Sequence, residues 1–327
     1  MASIVLGLGA SHGPQTHMPA SAWPLLAEKD RHDPRIDYEA LLDRAPAEIA
    51  DEITPEKMQE HYEAGQEAAR RLGTVLAECA PDVVVVVGDD QHEQFQPSNL
   101  PMFSVYYGGE MPAKVRSSAR NRSPERQWNH AAWRDALDRE TADGPAGYPA
   151  SPELGVQLIR SLVDDGFDVA ASNRLRPDVG LGHAFMMPYT RLGLGPSIPT
   201  VPIMVNTFYP PNQPTPRRCY ELGRATARAV QGWESDARVA LIASGGLSHV
   251  VVDEELDHTV IDALAAKDAD TLCTLPVERL NLGTSEIRNW VTAAGALEAL
   301  DVTLVGYIAS YRSLAGTGIG HCFASWT

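Results

Sequence analysis

Four histidines follow directly on strand-like or glycine-rich runs: His12 in "LGLGASHGP", His92 in "VVVVVGDDQHEQF", His183 in "DVGLGHAFMMP" and His249 in "LIASGGLSH". Gly13 and Pro14 stop the first run just past His12, because proline removes a backbone donor and glycine loosens the chain. One histidine in such a place is more often a loop cap than a functional group. Four at the ends of several strands of one sheet converge on one crevice, the edge where open α/β sheets bind ligands. Imidazole ligates metals and titrates near neutrality. Two histidines and one carboxylate on one face of an octahedral ion leave three positions open, which suits ferrous iron that must hold a substrate and O2 together. Asp89, Asp90, Glu93, Asp253, Glu254, Glu255 and Glu286 are all available as the carboxylate, and composition does not choose among them.

The elements that must position these residues are legible as alternating runs. Residues 4–8, 83–87, 167–171, 201–205 and 239–243 are short, apolar and rich in β-branched side chains, the signature of buried strands; 302–308 is a sixth. Between them, 55–79, 152–163, 216–231, 254–266 and 285–300 read as helices. The alternation predicts an α/β fold: a single domain spanning 1–327, with a central, mostly parallel or mixed sheet flanked by helices. Two stretches break the rhythm, 20–54 and 96–148, and read as lid-like insertions or oligomer contacts. The second contains Lys114, Arg116, Arg120, Arg122 and Arg126, a solvated basic loop on the simplest reading.

Composition narrows the function classes. The 327 residues carry a formal net charge of −16, which argues against nucleic-acid binding because that needs a basic footprint. Cys79, Cys219, Cys273 and Cys322 are widely spaced and form no CxxC pair, so neither a zinc ribbon nor a disulfide framework is expected. No apolar stretch approaches the roughly 20 residues that span a bilayer, and the start lacks the basic segment of a signal peptide. A cytoplasmic location is the expectation. "GLGAS" lacks the third glycine of a dinucleotide loop, and no Walker-type Gly-Lys-Ser/Thr occurs.

The ordered series "SHGP", "GDDQHEQF", "GLGHAFMMP", "VNTFYPP", "SGGLSH", "GTSEIRNW" and "YRSLAGTG" resembles the class III extradiol dioxygenases, the superfamily of the protocatechuate 4,5-dioxygenase β subunit, from Ile4 to Gly318. The resemblance implies Fe(II)-dependent cleavage of a catechol ring beside its hydroxyls, with both atoms of O2 incorporated. It makes His12, His92 and Glu286 the iron ligands and His249 the acid/base residue. His183 would hydrogen-bond O2 or a substrate hydroxyl. Tyr311 and Ser313 match positions beside the ring substituent, and Arg312 adds positive charge there, favouring a carboxylated catechol. The wording is most similar to 3-O-methylgallate dioxygenases, with gallate and protocatechuate next. A homodimer is expected; the protocatechuate enzyme also has a separate small helical subunit, whose covering role the insertions or a second copy would take.

The sequence departs from the family pattern twice: Gln91 intervenes between Asp90 and His92, and Gly182 rather than an aspartate precedes His183. Read without the resemblance, Glu286 is a first-turn carboxylate stabilised by a helix dipole, with Glu255 the fallback ligand. His61, among polar neighbours, reads as a surface residue. The rival functions are a non-enzymatic metal- or peptide-binding relative of the same fold and a zinc hydrolase that activates water.

Overall fold

The computed structural model describes residues 1–113 and 145–327, so the Lys114–Arg126 basic stretch and much of the second insertion lie outside the described residues. The strands are β1 Ser3–Ala10, β2 Val83–Asp89, β3 Phe103–Tyr106, β4 Glu110–Pro112, β5 Gly147–Pro149, β6 Ala170–Ser172, β7 Thr200–Val205, β8 Arg238–Ser244, β9 His249–Val251, β10 Val302–Tyr311 and β11 Thr317–Trp326. Nine of them form one mixed sheet in the order β10-β11-β1-β8-β2-β7-β3-β6, with β9 added on β11; β4 and β5 form a separate pair.

The centre of this sheet is parallel, β1 beside β8, β8 beside β2 and β2 beside β7. β2 shows why the run is continuously apolar rather than alternating. Val83, Val85 and Val87 face one hydrophobic core, whereas Val84 and Val86 face the other. Each side chain buried this way contributes about 1.5–3 kcal/mol. Helices cover both faces, as βαβ connections require.

The helices are α1 Pro14–His17, α2 Trp23–Arg31, α3 Tyr38–Arg44, α4 Ile49–Glu52, α5 Pro55–Cys79, α6 Pro152–Asp164, α7 His183–Thr190, α8 Pro216–Gln231, α9 Glu254–Ala266, α10 Ala269–Cys273 and α11 Ile287–Ala296. The expected limits of α5, α8 and α9 coincide with the observed ones. Thr54 and Thr215 cap the first two ahead of a proline at the first position, and Asp253 caps the third. The expected helix 285–300 is divided: Leu282–Glu286 is a 3₁₀ turn that leads into α11.

Three features differ from the sequence reading. The first insertion is helical, because Trp23, Met18 and Leu26 build a small core with Met58 that pins α2 to α5. The expected strand 167–171 begins only at Ala170, since Phe167 turns into the core instead. β11 carries no strand signal, its apolar residues being interrupted by Gly318, Gly320, His321 and Ser325, yet it lies buried between β10 and β1.

Candidate metal centre

The carboxyl ends of β1, β8 and β2 lie side by side, and the polar residues cluster there. His12 follows β1, Asp89 is the last residue of β2, His183 opens α7 and Glu286 closes the 3₁₀ turn before α11. One ligand atom from each of these four lies within 4.8 Å of every other. His12 Nε2 is 3.5 Å from Glu286 Oε2 and 4.0 Å from Asp89 Oδ1, and His183 Nε2 is 3.9 Å from Asp89 Oδ2. His249, on β9, approaches the same Glu286 oxygen, with its Nε2 3.4 Å from Oε2. Gly245 lets β8 pass over the carboxylate: its φ is +145°, and a Cβ there would stand 2.8 Å from Glu286 Oε2. The next peptide N–H, of Gly246, donates to that same oxygen.

Hydrogen bonds at the far side of each ring decide which nitrogen faces the group. Ser244 Oγ donates its hydrogen to the Ala184 carbonyl, so it accepts one from His12 Nδ1 at 2.9 Å. The Leu247 carbonyl can only accept, so His249 Nδ1 carries a hydrogen too. His183 Nδ1 lies 2.7 Å from Glu93 Oε2, again an acceptor. With Nδ1 engaged in this way, each ring turns its Nε2 toward carboxylate oxygens. His12 Nε2, His249 Nε2 and Asp89 Oδ1 are buried and have no hydrogen-bond partner among the described residues. Lone pairs facing lone pairs in a buried site repel, so the cluster calls for positive charge among them, a proton on a ring or a metal ion.

The electrostatics point the same way. Burial drives the Asp89 carboxyl above its ordinary value, and the charge of Glu286 adds to the rise. Burial also pushes Glu286 up, but positive charge on His249 and His12 outweighs it and holds the carboxyl below the usual range. A proton on an imidazole or a divalent cation serves that purpose. Imidazole nitrogens with carboxylate oxygens form a donor set suited to Fe, Mn or Zn, so the residues present fit a divalent ion. His183 is the most accessible of the four, its side chain 28% exposed against 4% for His12, and gives the group an open side.

The structure brings together His12, Glu286, His183 and His249 from the residues expected to act, and with them Asp89, one of the carboxylates the sequence left open. His92 stands apart. The strand runs two residues beyond 83–87 and ends at Asp89, which takes the strand-end place; His92, with φ +59°, stacks its ring on Tyr209 at 3.6 Å. Tyr311, Arg312 and Ser313 each bond to partners outside the group. The Tyr311 hydroxyl donates to Glu254. Arg312 is buried and bonded to Asp30 and Gln15, each at 2.6 Å. Ser313 shares a hydrogen bond with Thr317. Glu255 is exposed and pairs with Arg279, far from a ligand's role. His61 is not a surface residue: its side chain is 12% exposed and lies 3.4 Å from Glu52. Ser244 had no individual signal, although its place at a strand end beside His12 could have drawn attention; Glu93 was among the candidate carboxylates but as a ligand, not as the partner of His183.

A sheet-edge crevice of this chemistry defines a class of divalent-metal site, and comparison with known proteins narrows it. Residues 46–320 match the family described as the catalytic LigB subunit of aromatic ring-opening dioxygenase, and the chain belongs to that family. It is similar to a 2,3-dihydroxyphenylpropionate/2,3-dihydroxicinnamic acid 1,2-dioxygenase of Photorhabdus laumondii, 29% identical over 60% of this chain and 50% of that protein. A protein of the same description from a Rhodococcus species is 28% identical over 73% of this chain and 72% of its own length. The gallate dioxygenase of Pseudomonas putida is 34% identical over 47% of each. The match thus spans about half the length of the first and third of these relatives. Among the described residues no helix is long and apolar enough to cross a membrane.

Proposed function

We propose that this protein opens the ring of a catechol-type aromatic acid with O2, using Fe(II) held by His12, His183 and Glu286. The observation that carries this reading is the set of Nε2 lone pairs and buried carboxylates aimed at one point, in a chain of the aromatic ring-opening family. Gallate and dihydroxyphenylpropionate, in the relatives' names, both combine adjacent ring hydroxyls with a carboxylate. Three protein donors would leave such an ion room to take two ring oxygens and O2. His183 takes the place expected of His92, because it is the second histidine whose ligand atom lies in the group. Asp89 supplies a second negative charge beside it.

Bound Fe(II) supplies a Lewis-acid centre at which ring oxygens and O2 meet and exchange electrons. His249 Nε2 is the base for a ring hydroxyl proton, its lone pair exposed by the Nδ1–H bond to the Leu247 carbonyl. Glu286, 3.4 Å away, stabilises the imidazolium that forms. The proton stays at Nε2, placed to return to an oxygen of the opening ring. The buried walls of the crevice keep water from competing for it.

The test is anaerobic loading with Fe(II), followed by O2 uptake and ultraviolet-visible spectra with gallate, 3-O-methylgallate, protocatechuate, 2,3-dihydroxyphenylpropionate and catechol. Uptake equal to ring loss with one carboxylated catechol is the expected result. Iron-loaded protein that consumes no O2 with any of them overturns the reading. A cytoplasmic, homodimeric, single-domain enzyme belongs to the same proposal. It is supported by four free cysteines and by the prevalence of closed pairs among oligomers, and light scattering and cell fractionation check it.

A further inference from the structure

His183 is held by a carboxylate from another loop. Glu93 Oε2 lies 2.7 Å from His183 Nδ1, and both Glu93 oxygens accept the His183 backbone N–H, at 3.0 and 3.1 Å. The same carboxylate therefore caps the amino end of α7, whose own N-cap, Gly182, has no side chain to do so. Space for it depends on that glycine: a Cβ on Gly182 would stand 2.6 Å from Glu93 Oε2.

The loop carrying Glu93 is itself tied down. Asp90 accepts the backbone N–H groups of Gln94 and Phe95. Gln94 then bridges to the segment before α7, donating to the Gly180 carbonyl and accepting from the Arg176 N–H. The five residues from Asp89 to Glu93 thus deliver one carboxylate to the metal group and a second to the back of a histidine in it.

We propose that Glu93 is a positioning residue: its carboxylate holds His183 in the Nδ1–H tautomer and turns Nε2 toward the metal group. This rests on the reading of that group as a metal centre. A free imidazole favours the opposite tautomer, Nε2–H, which would place a hydrogen where a metal must bind. A carboxylate behind a ligating histidine fixes the ring and raises its basicity, and loss of such a partner costs metal affinity by about 10–100-fold.

The experiment reads the tautomer and the metal separately. Nitrogen-15 NMR of the metal-free protein should show Nδ1–H at His183 in the wild type and in Glu93→Gln, where the amide oxygen still accepts. It should show Nε2–H in Glu93→Ala. Gly182→Ala, which leaves the carboxylate in the chain but displaces it, should resemble Glu93→Ala. Titration with Co(II), followed by its visible absorption, should give about 10–100-fold weaker binding for Glu93→Ala and a smaller loss for Glu93→Gln. A wild-type His183 in the Nε2–H form, or a Glu93→Ala protein with unchanged tautomer and cobalt spectrum, overturns the proposal. Wild-type protein that takes up no cobalt overturns the metal-centre reading instead, while the NMR tautomers still decide the role of Glu93.

Discussion

Two buried polar regions of the molecule look alike in composition and differ in bonding. Around Arg312, donors meet acceptors: the guanidinium bonds Asp30 and Gln15, Gln15 donates to the Ser310 carbonyl, and Ser313 pairs with Thr317. At the crevice, acceptors meet acceptors, with imidazole lone pairs against Asp89 and Glu286. Asp30 Oδ1 accepts no hydrogen bond among the described residues but has the opposite charge of Lys29 Nζ 3.6 Å away, so the Arg312 set is closed by donors and cations and ties the first insertion to the end of β10. An arrangement of acceptors alone leaves a place for added positive charge, which marks it as a candidate metal site. Proximity of charged residues therefore says less about function than whether their hydrogen bonds already close.

The sharpest way to break the contrast is at the crevice. His12→Ala and Glu286→Ala should abolish stoichiometric metal binding and ring opening together, measured by metal analysis and O2 uptake; full iron content in either variant would falsify the ligand assignment. Asp89→Asn, which removes charge rather than a ligand, should weaken metal binding by less than Glu286→Gln does. His249→Phe should keep its metal but lose turnover by about 10²–10⁴-fold, the usual worth of a positioned acid/base group. Metal loss in this variant would make His249 a ligand.

Arg312→Ala tests the other region. It leaves Asp30 charged and fully buried, so unfolding stability should fall by about 3–5 kcal/mol, while the metal affinity of the folded protein is unchanged. A change in the substrate KM at constant stability would instead restore Arg312 as a substrate contact. Denaturant titration and steady-state kinetics on one preparation separate the two outcomes.

The smallest effect lies between the regions, at Asp257. It is fully buried, accepts hydrogen bonds from Ser248 and from the Tyr307 hydroxyl, and burial pushes its carboxyl up to about 6. As the pH falls below about 6 the folded protein takes up this proton before the unfolded chain does. Stability relative to Asp257→Asn should therefore rise with acidification until the ordinary carboxylate range near 3.8, then level off. A difference between the two proteins that does not vary over that window in pH-dependent denaturation would show that Asp257 does not titrate there.

Much of this was legible in the chain. Threonine–proline starts and amphipathic spacing located α5 and α8 to the residue; His12 was marked by its setting, whereas Glu286 was chosen only through the family resemblance. His92 and Asp89 show where local reading stops. Both follow the valine run, but the strand continues to Asp89, and three residues later a left-handed backbone carries the His92 ring to Tyr209. Tyr311 was chosen through the resemblance and Arg312 for its charge, and in the structure they bond Glu254 and Asp30, residues 57 and 282 positions away.

The sequence by itself determined the alternating α/β architecture and the edge of the sheet at which the histidines gather, because hydrophobic period and helix caps are local properties. Only the tertiary structure decided which nitrogen of each ring faces the crevice and which carboxylates meet there. It also decided which charged residues are already satisfied. These depend on partners such as Ser244, Glu93 and Asp30 brought in from distant segments, and a hydrogen bond between segments leaves no trace in the spacing of either one.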